Sequence, residues 1–265
     1  MPPGHQELDP PTRAFYARTL AVLNESRVPY LLGGAYALAT YTGLSRHTKD
    51  LDVFAKREDR DRILAALEGA GFRTETTFPH WLAKAFGPTG FLDVITSSGN
   101  GVSPVDDEWF AHAEAADLLG IPVPLCPVEE MVWSKAFIME RERFDGADVA
   151  HLIWARGRRL DWARLLRRFG PHARVLLAHL VLFGFIYPAE RDLVPARVLR
   201  DLLDRVRAEL DDAPPGERVC QGTLLSREQY LPDIGLWGYH DARLRPLGGM
   251  SPEEVEHWTA AIANT

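Results

Sequence analysis

Residues 31–54 read LLGGAYALATYTGLSRHTKDLDVF, and the order of residue types in this stretch decides the fold. An apolar run, Val28 to Leu32, stops abruptly at Gly33-Gly34. That pattern predicts a buried strand, a glycine turn and then a helix over 35–41. Residues 43–49 form a polar loop. Asp50-Leu51-Asp52-Val53-Phe54 then alternates polar and apolar, the mark of a strand with one buried face. Residues two apart on a strand share a face, so Asp50 and Asp52 project together, with Leu51 and Val53 opposite.

Upstream, Asp9-Pro10-Pro11-Thr12 is a helix start with proline in the first turn, and the helix should reach about Ser26. Downstream, 57–69 has helical spacing. Residues 72–78, 81–86 and 91–96 read as a three-stranded meander, and 109–127 as two short strands about Gly120. From Pro127 the chain turns helical, first to about Met139 and then over 145–155, 161–169, 171–186 and 195–210. Residues 211–216 read as a linker, and Ser251-Pro252-Glu253-Glu254 as a late capped start. The expected fold class is α+β: a mixed sheet with helices on one side in residues 1–126, then a mostly helical domain in 127–265. Strict βαβα alternation is missing, which argues against a doubly wound parallel sheet.

The 265 residues are 46% apolar, with seven Trp and twelve Phe, enough to bury a core. A net charge of −7 argues against a general nucleic-acid binder. The two cysteines, Cys126 and Cys220, lie far apart and outside any metal-ligand spacing, which fits a reducing cytoplasm. The N-terminus carries no apolar signal core. The most apolar run, 175–187, is short for a bilayer and is expected to be a buried helix, so no membrane partner is expected.

The chemistry lies in the carboxylates. Asp93 sits in a second apolar strand, Phe91-Leu92-Asp93-Val94-Ile95. If that strand pairs beside the first, Asp50, Asp52 and Asp93 converge. Gathered carboxylates repel unless a cation lies among them, and Mg²⁺ takes carboxylate oxygens while keeping positions for phosphates. Each acid alone reads equally well as a solvated strand residue; the joint pattern favours a two-metal layout. Gly33 and Gly34 would let backbone amides approach a polyphosphate at a helix N-terminus.

Leu32-Gly33-Gly34, a helix and loop, then Lys49-Asp50-Leu51-Asp52-Val53 resembles the signature of the polymerase-beta-type nucleotidyltransferases. The resemblance covers residues 28 to about 96. It implies that Gly33 and Gly34 contact nucleotide phosphates, that Asp50 and Asp52 hold Mg²⁺, and that Asp93 completes the site. Fifteen residues separate Gly34 from Asp50, a spacing similar to the aminoglycoside and lincosamide enzymes. Ala35 stands where many relatives carry Ser. Pro127-Val128-Glu129-Glu130, Lys135 and Arg143-Phe144-Asp145-Gly146-Ala147-Asp148 resemble the helical segment of toxin-like and antibiotic-modifying members. By that resemblance Lys135 reaches the triphosphate; the competing reading is a surface helix residue. Phe144 stands where Lys is common. Asp145 reads alternatively as an N-cap, and Asp148 as a partner of Arg143.

Other candidates carry paired readings. Arg46, His47, Thr48 and Lys49 precede the acid strand, either as phosphate or acceptor contacts or as a solvated loop; Arg46 and Lys49 are taken as nucleotide contacts. Lys84, expected to face the Asp93 strand, is taken likewise, against a packed Trp81 with a surface lysine. The Arg-rich segment 156–174 reads as the wet face of two helices in preference to an RNA contact. The expected reaction moves a nucleoside monophosphate from an NTP to an acceptor, with Mg²⁺ and release of pyrophosphate. A small hydroxylated acceptor is favoured over RNA or protein. The alternative is a non-catalytic nucleotide-binding module of the same fold.

Overall fold

The alternation at 50–54 becomes a strand because Leu51 and Val53 are fully buried while Asp50 and Asp52 keep partial access to solvent. The computed structural model describes residues 8–45, 48, 50–88 and 90–260. These fall into two units, one up to Pro127 with Pro252–Trp258, the other Val128–Ser251 with the remaining C-terminal residues.

The first unit opens with α1 (Pro10–Ser26). Asp9 caps it by accepting from the Thr12 amide at 3.0 Å, and Phe15, Tyr16, Leu20 and Leu23 form its buried side. Then come β1 (Leu31–Leu32), α2 (Gly34–Thr42), β2 (Asp50–Phe54), α3 (Arg60–Gly69), β3 (Arg73–Phe78), β4 (Leu82–Phe86), β5 (Phe91–Ile95), α4 (Asp107–Ala111), β6 (Glu114–Leu118) and β7 (Ile121–Leu125). The seven strands make one mixed sheet in the order β3-β4-β5-β2-β1-β7-β6. β2 runs parallel to β5 and antiparallel to β1, and β1 parallel to β7. The α+β class stands. The expected strand over 28–32 narrows to Leu31–Leu32, although Val28 and Tyr30 are buried too; Pro29 has no amide to give a ladder.

The second unit holds α5 (Val128–Ala136), α6 (Gly146–Arg156), α7 (Trp162–Phe169), α8 (Ala173–Ile186) and α9 (Ala196–Asp211). After these come a short parallel pair, β8 (Val219–Cys220) with β9 (His240–Asp241), and α10 (Leu231–Gly235) between its strands. Two expectations change here. Helix α8 is not wholly buried: Leu176, His179, Leu180 and Phe183 line its inner face, while Val181, Phe185 and Ile186 are exposed, Phe185 by 82%. A helix packed on neighbours from one side buries one stripe. The run Trp162–Ile186 does have the length and apolarity of a membrane-crossing helix, but a 3-10 turn at Gly170–His172 interrupts it.

The Arg-rich segment is not simply a wet face. Arg164 is buried and pairs with Glu129 and, at 3.2 Å, with Glu130, which also meets Arg168 at 3.0 Å. Charges on α5 and α7 thus fasten one helix to the other. Helix α11 (Pro252–Ala260) ends the described chain. Its Trp258 packs edge-on against Phe78 and Trp81 in the first unit, with ring centroids 4.9 and 5.3 Å away.

Candidate active site

Strand register assembles the site. Asp52 lies directly opposite Asp93 across the parallel β2–β5 pair; Lys84 lies opposite Asp93 across β4–β5; Glu75 lies opposite Lys84 across β3–β4. Directly opposed residues point to one face. Asp50, Asp52 and Asp93 each offer a carboxylate oxygen within 4.8 Å of the others. Asp50 and Asp52 are half-buried and Asp93 is buried. Residue 93 therefore shares the face of residues 50 and 52, the condition on which the sequence reading rested.

The twin glycine is fixed by this arrangement. Gly34 has φ +55, and a Cβ there would stand 1.7 Å from Asp52 Oδ2. A side chain would be strained by the backbone and would also collide with the carboxylate. At Gly33 a Cβ would meet the Phe54 ring at 2.3 Å. The Gly33 amide donates to the Asp52 carbonyl at 2.9 Å, and the Gly33 carbonyl accepts from Ala37 at 3.1 Å, starting α2. The turn and the acid strand are thus locked together, with the helix N-terminus beside the acids.

Each acid has a distinct setting. The Thr48 hydroxyl donates to Asp50 Oδ1. The Lys84 ammonium donates to Asp93 Oδ1 at 2.6 Å and sits 3.9 Å from the centre of the Phe91 ring. Burial pushes the Asp93 carboxyl above the usual carboxylate range; Lys84 pulls it down and Asp50 pushes it further up. Tyr16 and Tyr36 meet edge to face at 5.7 Å. Burial, with the negative charge of Asp50 adding to it, pushes the Tyr36 phenol up to about 12 and moves Tyr16 the same way. Both stay neutral at ordinary pH. On the Gly33 side, Phe54 stacks on Trp109 at 5.4 Å.

Asp50, Asp52, Asp93, Gly33, Gly34 and Lys84 are brought together. Lys84, expected as a nucleotide contact facing the Asp93 strand, pairs with Asp93. Arg46, His47 and Lys49 lie outside the described residues. Lys135 belongs to the helical unit, where its ammonium lies between Asp145 at 2.9 Å and Asp148 at 2.8 Å. It is neither a bare surface lysine nor an uncommitted one. Asp145 occupies the N-cap position of α6 but makes no capping bond; Arg143 and Lys135 hold its carboxyl low against the opposing effect of burial. Sequence reasoning missed Thr48 as the partner of Asp50, and missed Tyr16 and Tyr36 altogether. A hydroxyl two residues before the first acid was a usable sign for Thr48; nothing local marked the tyrosines.

Residues 17–83 match the family model described as aminoglycoside-2''-adenylyltransferase. No curated protein matches the chain. Several solved structures resemble it. The solution structure of the antibiotic-resistance factor ANT(2'')-Ia is 18% identical, with a TM-score of 0.40, covering 77% of this chain and 97% of that one. Lincomycin-bound LnuA, a lincosamide antibiotic adenylyltransferase, is 17% identical, with a TM-score of 0.38, covering 53% and 94%. An antigenic nucleotidyltransferase-like protein from Paracoccidioides brasiliensis is 14% identical, with a TM-score of 0.41, covering 69% and 93%. The family match takes in the glycine turn, Asp50 and Asp52, and the sheet brings Asp93 to them. Residues 17–83 are therefore similar to the aminoglycoside-2''-adenylyltransferase family, and the sheet sets Asp93 beside the two acids that this stretch contains.

Proposed function

We propose that the protein transfers a nucleoside monophosphate from a Mg²⁺-bound NTP to a hydroxyl of a small polar acceptor, releasing pyrophosphate. The observation that carries this reading is the in-register pair Asp52–Asp93 with Asp50 beside it, all on the face met by the glycine turn. The donor set suits the ion: three hard carboxylate oxygens close together, with little reason to gather unless a cation joins them. When bound, Mg²⁺ would neutralise phosphate charge and make the acceptor hydroxyl more acidic.

The residues divide the remaining work. Asp50, oriented by Thr48, and Asp52, seated against Gly34, would hold the ion. The amides at the start of α2 favour the triphosphate. Asp93 would accept the proton of the acceptor hydroxyl through the oxygen that Lys84 does not hold. The hydroxyl oxygen bonds to the α-phosphorus as the α–β bridging bond breaks, and pyrophosphate leaves with the electron pair. Positioning and charge supply most of the acceleration.

The family match supports an aminoglycoside-like acceptor and ATP as donor. The arginine pairings favour a small acceptor over RNA: Arg158, Arg164, Arg168 and Arg174 are each engaged by a carboxylate, so they offer less to a phosphate backbone. The cytoplasm, where ATP is plentiful, is the proposed location. The test is pyrophosphate release from ATP and Mg²⁺ with a panel of aminoglycosides and lincosamides. Turnover with one of them, lost in Asp52→Asn, is expected. Tight Mg²⁺-ATP binding with no turnover on any acceptor class would favour a non-catalytic module instead.

A further inference from the structure

Lys84 has a place that the reaction scheme does not require. It stands in the row Asp52–Asp93–Lys84–Glu75, one strand beyond the third acid. Its side chain is 19% exposed and that of Asp93 12%. The ammonium is held on two sides, by Asp93 Oδ1 at 2.6 Å and by the Phe91 ring at 3.9 Å. Phe91 is itself the residue opposite Asp50 on β2. A lysine bound only to solvent would swing freely; this one is fixed against a member of the triad.

We infer that Lys84 is a positioning residue of the acid triad: it holds one oxygen of Asp93, turns the other toward the metal position, and weakens cation binding before nucleotide arrives. The inference rests on the nucleotidyltransferase reading. A fixed positive charge in contact with a ligand carboxylate opposes an incoming divalent ion, the more so where water is partly excluded. The triphosphate brings its own negative charge and would offset that opposition. The free enzyme would then take up divalent ion weakly and the nucleotide-bound enzyme tightly, with Asp93 already in one orientation.

The experiment is Mn²⁺ titration of the full-length protein, followed by electron paramagnetic resonance, without and with a non-hydrolysable ATP analogue. Removing the charge in Lys84→Met should tighten Mn²⁺ binding to the nucleotide-free protein by about tenfold and narrow the gap between the two conditions. Lys84→Arg should restore the wild-type gap. In turnover, Lys84→Met should lower kcat with little change in KM for ATP. If the methionine variant melts early, Lys84→Gln gives the same comparison. Unchanged Mn²⁺ affinity in a well-folded variant overturns the assignment, and a raised KM for ATP alongside it would return Lys84 to a direct phosphate contact. Absence of Mn²⁺ binding by wild-type protein even with nucleotide would instead overturn the nucleotidyltransferase reading.

Discussion

The two units differ in how they gather their acids. In the helical unit, carboxylates and cations are matched. Glu129 and Glu130 meet Arg164 and Arg168, and Asp145 and Asp148 meet Lys135, with Arg143 also on Asp145. In the sheet unit, Asp50, Asp52 and Asp93 crowd within 4.8 Å, and Lys84 pairs with Asp93. A matched cluster fixes helices to one another. A cluster of like charges costs the fold stability, and such a cost points to a ligand that relieves it.

The comparison makes opposite demands on mutants, and the largest effect belongs to the triad. Asp50→Asn should lower turnover about a thousandfold, yet raise the melting temperature of the metal-free protein by removing a like charge while keeping an oxygen for the Thr48 hydroxyl. A fall in melting temperature would break the contrast. In the helical unit Arg164→Met should destabilise by about 3–5 kcal/mol in urea unfolding, since it leaves Glu129 buried without its cation and Glu130 with Arg168 alone. A loss below about 1 kcal/mol would mean that the cluster is wet.

Gly34→Ala comes next. The positive φ alone costs about 1–2 kcal/mol, and the new methyl must displace the Asp52 carboxylate. Activity should fall further than stability, and equal loss of both would count against a role for the turn in the site. The smallest effect is pH dependence. Burial holds His80, His172 and His179 below their ordinary value of 6.5. Unfolded chains bind more protons there, so the stability from these residues is present above pH 6.5 and is lost as pH falls below it. His179 Nε2 lies 2.8 Å from the Ala136 carbonyl. His179→Gln should flatten the melting-temperature profile between pH 7.5 and 5.5, and an unchanged profile would remove His179 from the account.

Some of this was legible early because it is local. The capped start at Asp9, the stop at Gly33-Gly34 and the alternation of 50–54 depend on neighbours within a few residues, and each survives in the fold. The burial of Arg164 was not legible: an arginine on a helix reads as wet until a second helix brings Glu129 and Glu130 to it. The exposed stripe of α8 failed for the same reason, since composition shows apolarity but not which side is covered.

By itself, then, the sequence determined which strands carry Asp50, Asp52 and Asp93, and that the first two share a face, because side-chain alternation is a property of one strand. Only tertiary structure decided that Asp93 stands opposite Asp52, that Lys84 grips Asp93, and that Lys135 lies between Asp145 and Asp148. Those facts depend on register between segments far apart in the chain, and a shift of one residue in pairing would have turned Asp93 to the other side of the sheet.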